Sequence, residues 1–120
     1  MNNKPRKAVQ LEARTAANAE FFYHGRLALA TIVKKDYKYL DGRGETVLSL
    51  LGQISGVEYI VLLKEQKPEQ IGISIRSRKK PIDKIAVALG GGGHERAAGA
   101  IVRDTIENVR ARVLELFKGE

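Results

Sequence analysis

The 120-residue sequence lacks cysteine and tryptophan, has only two histidines, and contains no apolar run long enough to cross a membrane. The absence of cysteine excludes disulfides and thiolate-ligated metals. No signal peptide is visible, so we expect a cytoplasmic location and no membrane partner. Aromatic residues make up 6% of the chain, which argues against a broad platform for stacked bases.

The four aspartates are scattered among predicted turns and helix starts rather than clustered. No pair of residues has a metal-ligand spacing such as His-x-x-x-His or Asp-x-Asp, and no segment resembles a nucleophile elbow or a Ser/His/Asp set. We therefore expect neither a self-contained hydrolase active site nor a metal bound by this chain.

Basic residues are in excess, with a formal net charge of +7. The excess is concentrated between Ile71 and Arg96, where six basic residues face two acidic ones and contribute +4 of that total. This distribution favours a polyanionic partner.

Hydrophobic periodicity predicts a single α/β domain, a small mixed β-sheet flanked by helices, over residues 8–120, after a flexible basic tail at residues 1–7. Helices are predicted over residues 8–23 and 46–54, from Pro81 to the glycine run, and after an N-cap at Thr105. Strands are predicted over residues 27–33, 57–63, 71–76 and 100–102. Alternation makes the third strand half-exposed, with Arg76 on the face of Ser74 and opposite Ile75.

Four consecutive glycines, residues 90–93, precede His94. One glycine would suffice to end a helix, so four favour close approach of backbone N–H groups to a ligand such as phosphate. The run is neither a Walker loop, because no Gly-Lys-Ser/Thr follows, nor a Rossmann fingerprint, because a helix precedes it. His94 has the chemistry to donate to phosphate, stack on a base or transfer a proton, whereas His24 is interpreted as structural or exposed.

The segment Arg76-Ser77-Arg78 places two arginines around a hydroxyl, an arrangement that can fork onto phosphate oxygens. The same run also fits a charged strand end that keeps a sheet soluble. Its position one helix before the glycine run favours the binding interpretation.

Residues 91–99, GGGHERAAG, resemble the G-G-G-H-x-x-A-A-G signature of the DHH-associated domain of subfamily 1, the C-terminal domain of DHH phosphoesterases. Residues 74–77, SIRS, resemble the S-x-R-S strand of that domain. Shorter segments between residues 25 and 57 are similar to the oligoribonuclease and nucleotide-phosphatase branch, and the resemblance covers roughly residues 20–118.

The resemblance implies a two-lobed phosphodiesterase. The N-terminal lobe of that family carries the Asp-His-His motif and two divalent metals, usually manganese, and the C-terminal lobe binds a single-stranded RNA or DNA oligonucleotide or a nucleotide. This sequence has no Asp-His-His motif. We therefore expect it to bind without cutting, to hold no cofactor itself, and to act with a catalytic lobe in cis or in trans.

The resemblance also assigns substrate-binding residues. These are Arg76, Ser77, Gly91, Gly92, Gly93 and His94, and the charge pattern adds Arg78 and Arg96 as helpers.

Three alternatives stay open. The chain could be a free-standing small phosphohydrolase that uses His94, or a tRNA-binding and dimerisation module like the C-terminal domain of alanyl-tRNA synthetases. A purely structural interaction domain is the third, and the clustered basic charge argues against it. A homodimer and the choice among RNA, DNA and mononucleotide are also left open.

Overall fold

The chain folds around one mixed β-sheet in a computed structural model that describes residues 3–120. The strands are β1 (Glu20–Phe22), β2 (Leu27–Ile32), β3 (Tyr59–Lys67), β4 (Gln70–Ser77), β5 (Gly92–Gly93) and β6 (Ala97–Val102). The helices over the same residues are α1 (Arg6–Ala17), α2 (Lys34–Tyr37), α3 (Glu45–Gly52), α4 (Asp83–Ala88) and α5 (Ile106–Phe117). The predicted α/β class, a mixed sheet flanked by helices, is confirmed.

The strand order in the sheet is β1-β2-β3-β4-β6-β5. The pair β2 and β3 is parallel, and the other neighbouring strands are antiparallel. A parallel pair needs a crossover connection, and the segment with α2 and α3 supplies it. The β3–β4 pair is a hairpin whose turn contains Pro68.

Helices α4 and α5 cover one face of the sheet. Period-two alternation sends the apolar side chains of Leu29, Val61 and Ile73 to this face, where they are buried. Thr105 caps α5 as predicted, because its hydroxyl accepts a hydrogen bond from the Asn108 N–H at 3.2 Å. Phe117 at the other end of α5 packs its ring 5.3 Å from that of Tyr59.

Helices α1 and α3 cover only part of the opposite face. Their buried residues pack against the alternate side chains of β2 and β3, the residues Ala28, Ala30, Ile32, Ile60 and Leu62. On β4 and β6 the same face carries small or polar residues and the exposed Ile101 instead of a buried apolar cluster. This part of the sheet is left open to an exterior cavity.

The predicted helix over residues 8–23 is wrong beyond Ala17. The chain leaves the helix at Asn18, and residues 20–22 form β1, which pairs antiparallel with β2. Tyr23, His24 and Gly25 then adopt positive φ angles of 56°, 61° and 81° and reverse the chain. Pairing with the edge of β2 thus overrides the helical preference of the alanine-rich segment. His24 is exposed in this turn.

The predicted basic tail over residues 1–7 falls partly outside the described residues, because Met1 and Asn2 are not among them. Arg6 and Lys7 form the first turn of α1. The Lys4 ammonium lies 3.1 Å from both carboxylate oxygens of the buried Glu12 and 2.7 Å from Thr46 Oγ1. Residues 4–7 therefore make contacts with the folded unit.

The other predicted elements match with shifted ends. The strand over residues 57–63 extends to Lys67, and the short strand at 100–102 begins at Ala97. The strand over residues 71–76 is more buried than the half-exposed pattern suggested, because Ser74 is only 8% exposed. None of the helices formed by residues 3–120 is long and apolar enough to span a membrane.

Candidate functional site

An open cavity of about 660 Å³ lies on the part of the sheet that α1 and α3 leave uncovered. Its size falls within the range of ligand-binding clefts, roughly 300–1,000 Å³. Strands β3 to β6 form the floor, and the segment from α2 to α3 forms a wall. The lining residues are Tyr37, Gly42, Arg43, Lys64, Gln66, Gly72, Ile73, Ser74, Arg76, Gly92, Gly93, Ala97, Ala98, Gly99, Ala100 and Ile101.

The register between β3 and β4 determines which side chains face the cavity. Lys64 lies opposite Gly72, and Leu62 lies opposite Ser74. Cross-strand partners point to the same face of a sheet, so Lys64, Ser74 and Arg76 share the uncovered side. The predicted grouping of Arg76 with Ser74, away from the buried Ile75, is confirmed.

Arg76 is half-buried and forms an ion pair with the Glu45 carboxylate at the start of α3. Its guanidinium also donates a hydrogen bond to the Ile75 carbonyl at 2.9 Å. Glu45 is 65% exposed, and ion pairs of this exposure contribute about 1 kcal/mol or less. A stronger anion can therefore replace Glu45 at little cost.

Lys64 is a buried lysine on the floor, with 9% of its surface exposed. Its ammonium donates a hydrogen bond to Ser74 Oγ at 2.8 Å. Burial lowers the pKa of Lys64, the positive charges of Arg76 and Arg43 lower it further, and Glu45 opposes the effect. Among residues 3–120, no carboxylate lies within ion-pair distance of this ammonium. The cavity therefore holds a buried lysine that has no acidic partner within ion-pair distance among residues 3–120.

Three of the four glycines in the run have a structural reason to be glycine. Gly90 ends α4 with a φ of 88°. A Cβ on Gly91 would overlap the Gly99 carbonyl, and one on Gly93 would lie 2.6 Å from the Ala98 Cα. Gly92 has neither a positive φ nor a neighbour within 4 Å of a Cβ, yet it lines the cavity.

The glycine run is also partly a strand. Gly92 and Gly93 form β5 and pair with Gly99 and Ala98 of β6. The predicted loop is therefore held against the sheet, where Gly92 and Gly93 border the cavity and Gly91 does not.

Ser77 lies on the other side of the strand from the cavity. It is 7% exposed, and its hydroxyl donates to the Lys80 carbonyl and accepts from the Lys79 N–H at 3.1 Å. The side chain of Ser77 therefore stabilises the turn after β4 in this structure, and it does not join Arg76 on the cavity floor.

The remaining predicted residues also lie outside the cavity lining. The guanidinium of Arg78 donates to the Gly52 carbonyl, and that of Arg96 donates to the Lys79 carbonyl. His94 is exposed in the turn between β5 and β6, where its backbone N–H donates to the Ala97 carbonyl at 2.8 Å. Of the predicted set, the structure brings together Arg76, Gly92 and Gly93.

Sequence analysis missed Lys64, Arg43 and Tyr37 as cavity residues. Lys64 follows a continuous apolar run and was not distinguished from an ordinary strand end. The available signal was the hairpin itself, because pairing across the turn at Pro68 places Lys64 near Ser74. Arg43 and Tyr37 reach the cavity through the α2–α3 segment, whose path no local pattern reveals.

No group of three or more histidine, aspartate or glutamate side chains in residues 3–120 is arranged to hold a metal ion.

The DHHA1 domain family matches residues 27–119 of the chain. The chain is also similar to the structure of an exopolyphosphatase-related protein from Bacteroides fragilis, with a TM-score of 0.87 and 24% identity over 98% of this chain and 36% of that chain. A pGpG-specific phosphodiesterase from Vibrio cholerae, PggH, aligns with a TM-score of 0.66 and 15% identity over 96% of this chain and 40% of that chain.

At these identities the two structures show a shared fold, and this chain spans less than half the length of either. No curated protein matches the sequence.

Lys64→Gln is expected to stabilise the protein at neutral pH, by about 0.5–2 kcal/mol, a common range for stabilising changes. Folding lowers the pKa of Lys64. At a pH between the folded and the unfolded pKa, the unfolded state therefore binds more protons than the folded state, so the stability of the wild type rises with pH across that window. Urea unfolding between neutral and alkaline pH should show the gap between the two proteins closing. A less stable variant at neutral pH would contradict this account.

Gly92→Ala and Gly93→Ala should distinguish a glycine that the fold requires from one that only lines the cavity. Gly93→Ala should cost about 2 kcal/mol or more, because its φ of 145° is unfavourable for alanine and its Cβ would contact Ala98. Gly92→Ala should change the free energy of unfolding by less than about 0.5 kcal/mol. Thermal unfolding measures both, and equal losses would show that the whole run is structural.

Proposed function

Because the chain belongs to the DHHA1 domain family, we propose that it is the ligand-binding lobe of a DHH-type phosphoesterase, and that its cavity binds a nucleotide or a short single-stranded oligonucleotide. The observation that carries this proposal is the convergence of Lys64, Arg76 and Arg43 on an open sheet face with Glu45 as the opposing acid. Such a concentration of positive charge in a cleft attracts phosphate groups.

The geometry suggests how the ligand is held. The planar guanidinium of Arg76 suits bidentate contact with two phosphate oxygens. Gly92 leaves room for the ligand to approach the backbone of β5, because it has no side chain there. Tyr37 supplies an aromatic ring in the wall, and base–aromatic stacking tolerates any base.

Catalysis in this proposal belongs to a second lobe, in cis or in trans. That lobe would hold the divalent metals, manganese by family resemblance, which activate the attacking water. The present chain binds and positions the phosphodiester without cutting it. The oligoribonuclease and nucleotide-phosphatase branch is our proposal for the parent enzyme, supported by the resemblance in residues 25–57.

A direct test uses fluorescence anisotropy with a fluorescein-labelled triadenylate RNA that carries a 5′-phosphate. Phosphate-dominated binding falls steeply with salt, so the affinity should be measurable at about 50 mM salt and lost on going to several hundred millimolar. No binding at the lower salt concentration would refute the proposed function.

Arg76→Ala should weaken binding of that RNA by roughly tenfold or more, the loss expected for one charge-assisted hydrogen-bonding group. Arg103→Ala is the matched control, because Arg103 is exposed and does not line the cavity. It removes the same charge and should change the affinity less than about twofold. If the two variants weaken binding equally, the RNA is responding to net charge and not to this site.

Glu45→Gln should tighten binding of the same RNA. The ligand no longer has to displace a carboxylate from Arg76, and an exposed ion pair of this kind corresponds to about two- to fivefold in affinity. Glu69→Gln, in the exposed turn between β3 and β4, removes a negative charge outside the cavity and serves as control. A Glu45→Gln variant that binds no better than the control would show that the carboxylate does not compete with the ligand.

A further inference from the structure

We propose that Lys64 is a ligand-binding residue of this site, and that its ammonium, oriented by Ser74, forms an ion pair with a phosphate group of the ligand. The inference rests on the proposed function for the nature of the ligand. It adds a binding residue that neither the glycine signature nor the arginine-containing strand includes.

The first argument is the missing counter-charge. An ammonium has three donors, and the one hydrogen bond that Lys64 Nζ makes within residues 3–120 is to Ser74 Oγ at 2.8 Å. Buried charges in proteins are normally paired, because an unpaired one costs several kcal/mol. Ser74 is neutral and no carboxylate of residues 3–120 lies within ion-pair distance, so a bound anion would supply the missing negative charge.

The second argument is the set of charges on the elements around Lys64. Strand β4 contributes Arg76, the α2–α3 loop contributes Arg43, α3 contributes Glu45, and α2 contributes the phenol of Tyr37. The carboxylate in this set is already paired with Arg76. The basic groups near Lys64 are Arg76 and Arg43. A phosphate bound between the three residues would offset their positive charge.

The third argument is access. Gly72 lies opposite Lys64 in the hairpin and presents no side chain above the floor. A Cβ on Gly72 would lie 2.5 Å from Gln66 Nε2 and 3.5 Å from Lys64 Cε. The glycine therefore makes room for the Gln66 amide and the lysine stem, and Lys64, Gln66 and Gly72 all line the cavity.

A ligand role gives Lys64 a signature that a structural role would not. A bound phosphate stabilises the ammonium and raises the pKa that burial lowers. Binding at alkaline pH should therefore be accompanied by proton uptake. Arginine cannot produce this effect, because its guanidinium stays protonated in proteins.

The experiment is calorimetric titration of the chain with pyrophosphate, a probe that contains phosphate but no base. Wild type is compared with Lys64→Gln, which retains a hydrogen-bond donor for Ser74, and with Lys67→Gln, which removes the same charge from an exposed position of β3. Thermal unfolding establishes that each variant is folded. Titrations are repeated at about pH 9 in two buffers of different ionisation enthalpy, so that proton uptake is measured directly.

The expected result is a loss of pyrophosphate affinity on the order of tenfold or more in Lys64→Gln and little change in Lys67→Gln. Pyrophosphate itself titrates in this pH range, so the protons exchanged on binding are compared between the proteins. Wild type and Lys67→Gln should take up more protons than Lys64→Gln, and the difference is the contribution of Lys64. Tyr37 and Glu45 are unchanged in all three proteins, so the difference isolates Lys64.

Two outcomes would overturn the inference: pyrophosphate binding that Lys64→Gln leaves intact, or no pyrophosphate binding by the wild type. The first is compatible with the proposed function if Arg76→Ala still weakens RNA binding. Conversely, Lys64-dependent binding of pyrophosphate without RNA binding would support the anion site and refute the nucleic-acid function.

Discussion

The pairing register of β3 with β4 is the constraint on which the candidate site depends. It sets Lys64 opposite Gly72 and beside Ser74, on the face that α1 and α3 do not cover. A slip of one residue would turn these side chains into the core and move the side chains of Ile73 and Ile75 from the core to the open face. Burial of the apolar side chains of β3 and β4 on the covered face therefore also sets the positions of the polar side chains on the open face. The same strand register determines the stability of the fold and the geometry of the site.

At the edge of the sheet, the glycines of β5 and β6 likewise serve both the packing of the strands and the shape of the cavity. Close packing of β5 on β6 requires glycine at 91 and 93, and Gly99 of β6 is required in turn because a Cβ there would lie 2.6 Å from the Ile73 carbonyl oxygen. Glycines 72, 92, 93 and 99 all line the cavity, so backbone without side chains forms this part of the floor. Backbone conformation and close packing therefore require glycine at three positions of the run, and Gly92 is the position at which neither requires it.

Local patterns predicted the parts of this protein that depend on local physics. Alternation placed Arg76 with Ser74, and the N-cap at Thr105 located α5, because both rules act within a few residues. Strand β1 was missed because its pairing with β2 overrides an alanine-rich helical segment. Lys64 was missed because its setting depends on pairing with Gly72 across the hairpin and on Arg43, which a separate loop supplies. Alternation along β4 places Ser77 on the face opposite Arg76, whereas the family resemblance groups the two residues.

The charges of the cavity differ in how they are balanced, and this difference carries the functional argument. Arg76 has a carboxylate from Glu45 at an exposed position, where exchange for another anion costs little. Lys64 has a neutral hydroxyl at a buried position, where the absence of an anion is costly. A fold that needed only stability would place an apolar side chain at residue 64, beside Leu62 and Leu63 in a buried strand. The lysine is a local departure from the rules that the rest of the strand obeys, and such departures concentrate where proteins bind ligands.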